Sequence, residues 1–385
     1  MFQYFPTNYV WNLSVNLAIE MGAKIGEIDE ICAPLMEISK QGDDDGTTLF
    51  FQRFAEMGDK LVSLAAEDEA QGRLFSAGEK LSRAAIYFIT AERMQAPHSA
   101  PRQALYQKVL SSFSRRIKFG RENCQRVEIP YEHASIAGLF VKADGVTGPA
   151  PCVVLVNGLD VTKEFLYGMR LPHALAQRGI SSLVIDQPGT GEALRVHALK
   201  AIHESERWGS SVIDWLETRS DVDAKRIGLA GISLAGYYVP RAVAFEPRFA
   251  LGVVWGAIYD WGQVNKRRLV REGDRPVPHY WDHCQWVWDA KTVEEFMAKA
   301  EKVTVKGFLD RIKVPFLVTH GEKDRQIPVE QAHATYEGLV NSPKREIKVF
   351  TAREGGVEHC NADNFAGARD FIADWIAEVF GGRTA

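Results

Sequence analysis

Three residues of this sequence have the side chains and the surroundings to turn an alcohol into a nucleophile. Ser233 lies in Gly231-Ile232-Ser233-Leu234-Ala235-Gly236. Asp324 ends the run Val314-Pro315-Phe316-Leu317-Val318-Thr319-His320-Gly321-Glu322-Lys323-Asp324. His359 stands in Gly355-Gly356-Val357-Glu358-His359-Cys360. The chemistry needs all three types. A serine hydroxyl is a poor nucleophile until a base takes its proton. An imidazole does this near neutral pH, and a carboxylate selects its tautomer and stabilises the imidazolium that forms. His320 is close to Asp324 in sequence, but it ends a strand ahead of the acid, so His359 is the expected base. Cys360, beside that base, reads as a buried filler rather than a reactive thiol.

These residues need particular elements to present them. Arg226-Ile227-Gly228-Leu229-Ala230 reads as a short buried strand and Leu234 to Val243 as a helix. A serine at such a junction, flanked by small residues, forms a nucleophile elbow. Ala235 stands where the usual motif has glycine, and Gly236 follows one position later. The loop Val156-Asn157-Gly158-Leu159-Asp160 follows another strand and is expected to supply half of an oxyanion hole. The two donors would be the backbone N–H groups of Leu234 and Leu159.

Asp260 lies just past the strand that follows the nucleophile helix. It has two readings, a second catalytic carboxylate that supports His359 or donates a proton, and a cap for the next helix. Asp186-Gln187-Pro188-Gly189-Thr190-Gly191-Glu192 is glycine-rich, but it lacks the Lys-Ser/Thr and the G-x-G-x-x-G spacing of phosphate cradles, so it reads as a tight turn beside the site. His279 and His283 lie four apart, with Asp282 and Cys284 nearby, but no third zinc ligand is evident. Neither a metal nor another cofactor is expected. Tyr237, Trp255 and Trp281 are the expected substrate-binding aromatics.

Around these motifs the chain divides. Apolar residues at helical spacing (Phe51, Phe54, Leu61, then Leu74, Leu81, Phe88, then Tyr106, Phe113) predict a helical N-terminal domain over residues 1–125. The aromatic start Phe2, Tyr4, Phe5, Tyr9 and Trp11 reads either as a strap packed on the body or as a pocket lining. From 126 to 385 strands dominate. Arg126–Pro130 and Ser135–Val141 suggest an antiparallel pair, and Cys152–Val156 and Ser181–Ile185 are apolar runs typical of covered parallel strands. Tyr167 to Arg178 and His203 to Glu217 are predicted helices. The result is an α/β fold with a doubly wound, mostly parallel sheet, and the order Ser233, Asp324, His359 is that of an α/β-hydrolase. The excursion at about 258–310 reads as a cap insertion.

A net charge of −4 gives no electrostatic reason to expect nucleic acid or an anionic membrane as partner. The five cysteines form no C-x-x-C pair and, with no secretory signal and no apolar run of membrane-spanning length, predict free thiols in a cytoplasmic protein.

The chain resembles a known group through Asn157-Gly158-Leu159-Asp160-Val161-Thr162-Lys163-Glu164, Asp186-Gln187-Pro188-Gly189-Thr190-Gly191-Glu192, the serine motif and Glu358-His359-Cys360. It is similar to the α/β-hydrolases related to 2,6-dihydroxypseudooxynicotine hydrolase and to the fungal polyketide-shortening carbon–carbon hydrolases. Position by position, the resemblance implies Ser233 as nucleophile, Asp324 and His359 as its partners, Leu159 and Leu234 as oxyanion donors, and Asp260 as the nearest match to an extra catalytic carboxylate. It implies a homodimer that hydrolyses a carbon–carbon bond beside a ketone in an aromatic or polyketide substrate. An esterase, lactonase or thioesterase would use the same groups, and a non-catalytic binding protein on a hydrolase scaffold is the alternative of another class.

Overall fold

The computed structural model describes residues 1–41, 47–93, 95–271 and 279–385. Grouping by contact gives two units, one of residues 1–124 with 271–283 and one of residues 125–270 with 284–385. The excursion expected near 258–310 is therefore divided between them.

The first unit contains α1 (Tyr9–Glu20), α2 (Ile25–Cys32), α3 (Thr47–Ala70), α4 (Leu74–Arg93) and α5 (Ala100–Gly120). Helix α4 packs between α3 and α5. Ala65, Ala77, Leu81 and Phe119 form one patch of its core. The aromatic start is a strap on this unit. Phe5 meets Trp11 edge-on at 5.5 Å, Trp11 meets Phe50 at 5.0 Å, and Phe50 meets Phe54 at 4.5 Å. Asn12 and Asn16 hold its backbone, both donating to the Phe2 carbonyl at 2.8 and 2.7 Å.

The second unit is built on one eight-stranded sheet in the order β1-β2-β4-β3-β5-β6-β7-β8. Its strands are β1 (Gln125–Tyr131), β2 (Ala134–Val141), β3 (Ala150–Val156), β4 (Ser181–Ile185), β5 (Val222–Ile232), β6 (Leu251–Trp255), β7 (Phe316–Gly321) and β8 (Arg345–Phe350). Strand β2 pairs antiparallel with both β1 and β4, and the pairs from β4 to β8 are parallel. Strands β3, β4, β6 and β7 are buried along their whole length, as their apolar runs require.

Helices α6 (Lys163–Gly168), α7 (Leu171–Gln177), α8 (Gly191–Arg195), α9 (Ser205–Glu217) and α10 (Ala235–Phe245) connect the first strands. The excursion supplies α11 (Trp261–Arg271), α12 (Tyr280–Trp288) and α13 (Val293–Ala300), and α14 (Glu330–Gly338) and α15 (Phe365–Phe380) complete the unit. The helix expected over Tyr167–Arg178 is in fact two, α6 and α7. Arg170 between them adopts a left-handed conformation (φ 69°), and Pro172 in the first turn of α7 is a residue that starts helices but cannot continue one.

All five cysteines are free thiols. Among the described residues no helix is long and apolar enough to cross a membrane.

Candidate active site

The residues singled out for their chemistry leave the sheet on one side, at the carboxyl ends of parallel strands, where doubly wound sheets bind ligands. Ser233 follows β5, Asp324 follows β7, His359 lies beyond β8, and the loop of Gly158 and Leu159 follows β3.

Ser233 sits at the turn from β5 into α10 with φ 58°, a left-handed conformation that a non-glycine residue adopts at a cost. Its own N–H donates to the Trp255 carbonyl at 3.0 Å, and its carbonyl accepts from the Gly236 N–H at 2.7 Å. These bonds hold the turn while the hydroxyl points out of it.

Ser233 Oγ lies 2.9 Å from His359 Nε2, and His359 Nδ1 lies 2.7 Å from Asp324 Oδ2. A carboxylate only accepts, so Nδ1 carries the proton of the neutral ring and Nε2 is free to accept from the serine. Asp324 is fixed from behind. Its Oδ1 accepts from the N–H groups of Gln326 and Ile327, both at 2.8 Å. Its side chain is fully buried, and that of His359 keeps 12% exposure.

Burial pushes the Asp324 pKa up, but His359 beside it prevails and holds it below the usual carboxylate value. Burial also works against the His359 imidazolium, yet the Asp324 charge, helped by Cys360, outweighs it and the His359 pKa is raised well above the ordinary imidazole value.

His320 has a different place. Its Nδ1 accepts from the Ala257 N–H at 3.2 Å and its Nε2 donates to the Ile327 carbonyl at 2.9 Å. Burial lowers its pKa, so it is a neutral prop 3.4 Å from Asp324 Oδ2. Cys360 is buried, but it is more than filler. Its Sγ donates to the Trp255 carbonyl at 3.4 Å and lies 3.5 Å from His359 Nε2.

Leu234 is the N-cap residue of α10, and Gly158 lies against the serine. A Cβ on Gly158 would come 2.9 Å from Ser233 Cβ and 3.3 Å from its Oγ. The backbone that leads to Leu159 thus passes close to Ser233.

Asp260 is held in the manner of the helix-cap reading. Its Oδ1 accepts from the Gln263 N–H at 2.8 Å and its Oδ2 pairs with Lys306 at 2.6 Å. The geometry is that of a residue capping α11, with both oxygens occupied.

Two of the expected substrate-binding aromatics are committed to internal bonds. The Tyr237 hydroxyl donates to the His203 carbonyl at 3.1 Å. Trp255 Nε1 donates to Asn361 Oδ1 at 2.6 Å, and the indole meets Phe365 of α15 edge-on at 5.9 Å. Trp255 also borders an apolar cavity of about 20 Å³ with Val156, Gly231 and Ile232. Trp281 lies in α12, in the part that groups with the N-terminal helices, with its ring edge-on to Tyr280 at 5.0 Å. His279 precedes α12 in a left-handed conformation (φ 55°), so it does not share a helical face with His283, whose Nδ1 lies 3.5 Å from the Arg102 guanidinium.

Beside the site is a charged cluster whose members were visible in the sequence only as motif letters. Glu164, Asp186 and Glu192 are buried, with ligand atoms within 4.8 Å of one another. The Lys163 ammonium occupies the place among them that a cation would take, 2.5 Å from Glu164, 3.0 Å from Asp186 and in contact with Glu192. Burial pulls the Lys163 pKa down, but the carboxylates raise it overall. Burial raises Glu164 despite Lys163, whereas Glu192 is lowered because Lys163 and Arg126 outweigh its burial.

The chain is similar to known hydrolases. The prolyl oligopeptidase family model matches residues 171–383, and an esterase FrsA-like family model matches residues 60–264. A protein named hydrolase LUC6 from Fusarium sp is 27% identical over 99% of both chains. The 2,6-dihydropseudooxynicotine hydrolase of Paenarthrobacter nicotinovorans is 25% identical over 86% of this chain and 84% of that one. The crystal structure of a 2,6-dihydroxy-pseudo-oxynicotine hydrolase superposes with a TM-score of 0.75, covering 95% of both chains at 22% identity.

Proposed function

Since the chain belongs to the prolyl oligopeptidase family and to the FrsA-like esterases, both of them α/β-hydrolases, we propose that it is a serine hydrolase cleaving a carbon–carbon bond next to a ketone in an aryl ketone, β-diketone or polyketide-like substrate. The observation that carries the reading is the unbroken line from Ser233 Oγ through His359 to Asp324, with contacts of 2.9 and 2.7 Å. The resemblance to carbon–carbon hydrolases supports the bond type.

In this reading Ser233 Oγ adds to a ketone carbon as its proton passes to His359 Nε2. The oxygen of the tetrahedral intermediate takes hydrogen bonds from the N–H groups of Leu234 and Leu159. The carbon–carbon bond then breaks. Its electron pair stays with the leaving carbon, and His359 returns the proton there. This step needs a leaving carbon whose charge is delocalised, so a second ketone or an electron-rich ring must adjoin it. Water, deprotonated by His359, next attacks the acyl-serine, and the carboxylic acid leaves. No step is assigned to Asp260.

The FrsA-like match supports a second reading, ester hydrolysis by the same groups. Assaying the purified protein on an aryl 1,3-diketone and a matched aryl ester separates the two. Turnover of the ester alone removes the carbon–carbon assignment. Failure of a fluorophosphonate to label Ser233 removes the serine-hydrolase reading and favours a binding protein.

A further inference from the structure

We propose that Lys163, Asp186 and Gln187 are positioning residues for the oxyanion loop, tying both of its ends so that Gly158 and Leu159 are held against Ser233; this rests on the reading of Ser233 as the nucleophile.

The backbone ladder between β3 and β4 ends at the pair Val156 and Ile185. One residue further, the side chain of Gln187 takes the place of a neighbouring strand. Its Oε1 accepts from the Asn157 N–H at 3.0 Å, and its Nε2 donates to the Asn157 carbonyl at 2.8 Å. The Asn157 side chain crosses the other way, donating to the Ile185 carbonyl at 2.8 Å and to Asp186 Oδ1 at 3.0 Å. The next residue is Gly158.

The far end of the loop returns to the same carboxylate. Asp186 Oδ1 also accepts from the backbone N–H of Lys163 at 2.7 Å, and its Oδ2 takes the Lys163 ammonium at 3.0 Å. One buried carboxylate therefore fastens residues 157 and 163, and the expected oxyanion donor lies between them. Asp186 is itself fixed. Its Oδ2 accepts from the Glu192 N–H at 3.0 Å. Gly191 leaves the room, since a Cβ there would fall 1.8 Å from the Asp186 carboxyl carbon.

Net stability is a poor reason for such a cluster, because buried ion pairs gain little over apolar packing of the same volume. Their hydrogen bonds are directional, and here they converge on the loop. Lys163 meets three carboxylates, and Arg126 joins Glu192 to Glu128 at the edge of the cluster.

The test compares Gln187→Ala, Lys163→Met and Asp186→Asn with wild type in kcat, KM, the pH profile and the Ki of an aryl trifluoromethyl ketone, whose serine adduct places an oxyanion in the hole. Loss of one oxyanion donor costs about 10²–10³-fold, so a displaced loop should lower kcat about 10–100-fold, raise Ki by a similar factor and leave KM nearly unchanged. The acid limb of the pH profile should stay in place, because His359 and Asp324 are untouched. Gln187→Ala removes no charge, so it carries the test even where the other two variants fail to fold. If Gln187→Ala is folded and keeps wild-type kcat and Ki, the proposal is overturned. If wild type itself neither binds the ketone nor is labelled at Ser233, the nucleophile reading falls and this proposal falls with it.

Discussion

Gly158 lies against the Ser233 side chain, so that a single added methyl group on Gly158 would meet Ser233 Cβ at 2.9 Å and the Ile232 carbonyl at 3.1 Å. Neither neighbour is the end of a flexible side chain that could step aside. Gly158→Ala should therefore move the loop rather than the strand. The expected result is a loss of about 10²-fold or more in kcat, comparable to removing an oxyanion donor, with a small change in KM. Steady-state kinetics on whichever of the paired substrates is turned over gives the answer.

Ser233 holds a left-handed φ of 58°. Alanine keeps the strain and glycine relieves it, less some entropy that glycine adds to the unfolded chain. Ser233→Gly should be more stable than Ser233→Ala by about 0.5–1 kcal/mol, although both are inactive. Urea midpoints compared at equal m-values measure the difference. Equal midpoints would mean that the turn is not strained.

The base must be unprotonated to accept the serine proton. Asp324 raises the His359 pKa, so activity is lost as pH falls through that raised value. The acid limb of kcat/KM should therefore lie above the ordinary imidazole value of about 6.5. Asp324→Asn removes the largest of the groups that raise the His359 pKa and leaves only Cys360 to oppose burial. The limb should move to lower pH while the plateau falls by about 10⁴-fold. A limb that stays in place in the variant would show that another group sets it.

Asp260 distinguishes two roles that one residue type can serve. As the cap of α11, Asp260→Ala should cost about 0.5–2 kcal/mol of stability. It should also change kcat by less than about threefold, under 1 kcal/mol in barrier height. A folded variant with kcat reduced a hundredfold would favour the catalytic reading.

The contrast between Asp260 and Ser233 shows which features the sequence makes readable. The serine could be found because its surroundings are local, with small residues packed into one tight turn between a strand and a helix. Asp260 could not be resolved, because a carboxylate after a strand suits a helix cap and a proton transfer equally well. The contacts of Trp255 could not be read for another reason. Strand β6 is buried on both faces, so no alternation of polar and apolar residues tells which face the indole takes. The break between α6 and α7 did leave a signal, Pro172, but the apolar spacing on either side runs through it. Lys163, Glu164, Asp186 and Glu192 appeared as motif letters, yet their role depends on pairs more than twenty residues apart, such as Lys163 with Asp186, which leave no periodic trace.

The thiol of Cys360 lies 3.5 Å from the same imidazole nitrogen that faces the serine. A maleimide or an oxidant that reached it would block proton transfer and silence the protein, although the sulfur forms no bond to substrate. Inhibitor profiling with sulfur-directed reagents alone would then assign this chain to the cysteine hydrolases. Replacing Cys360 with alanine before such profiling would remove that false signature and keep the alcohol-directed one.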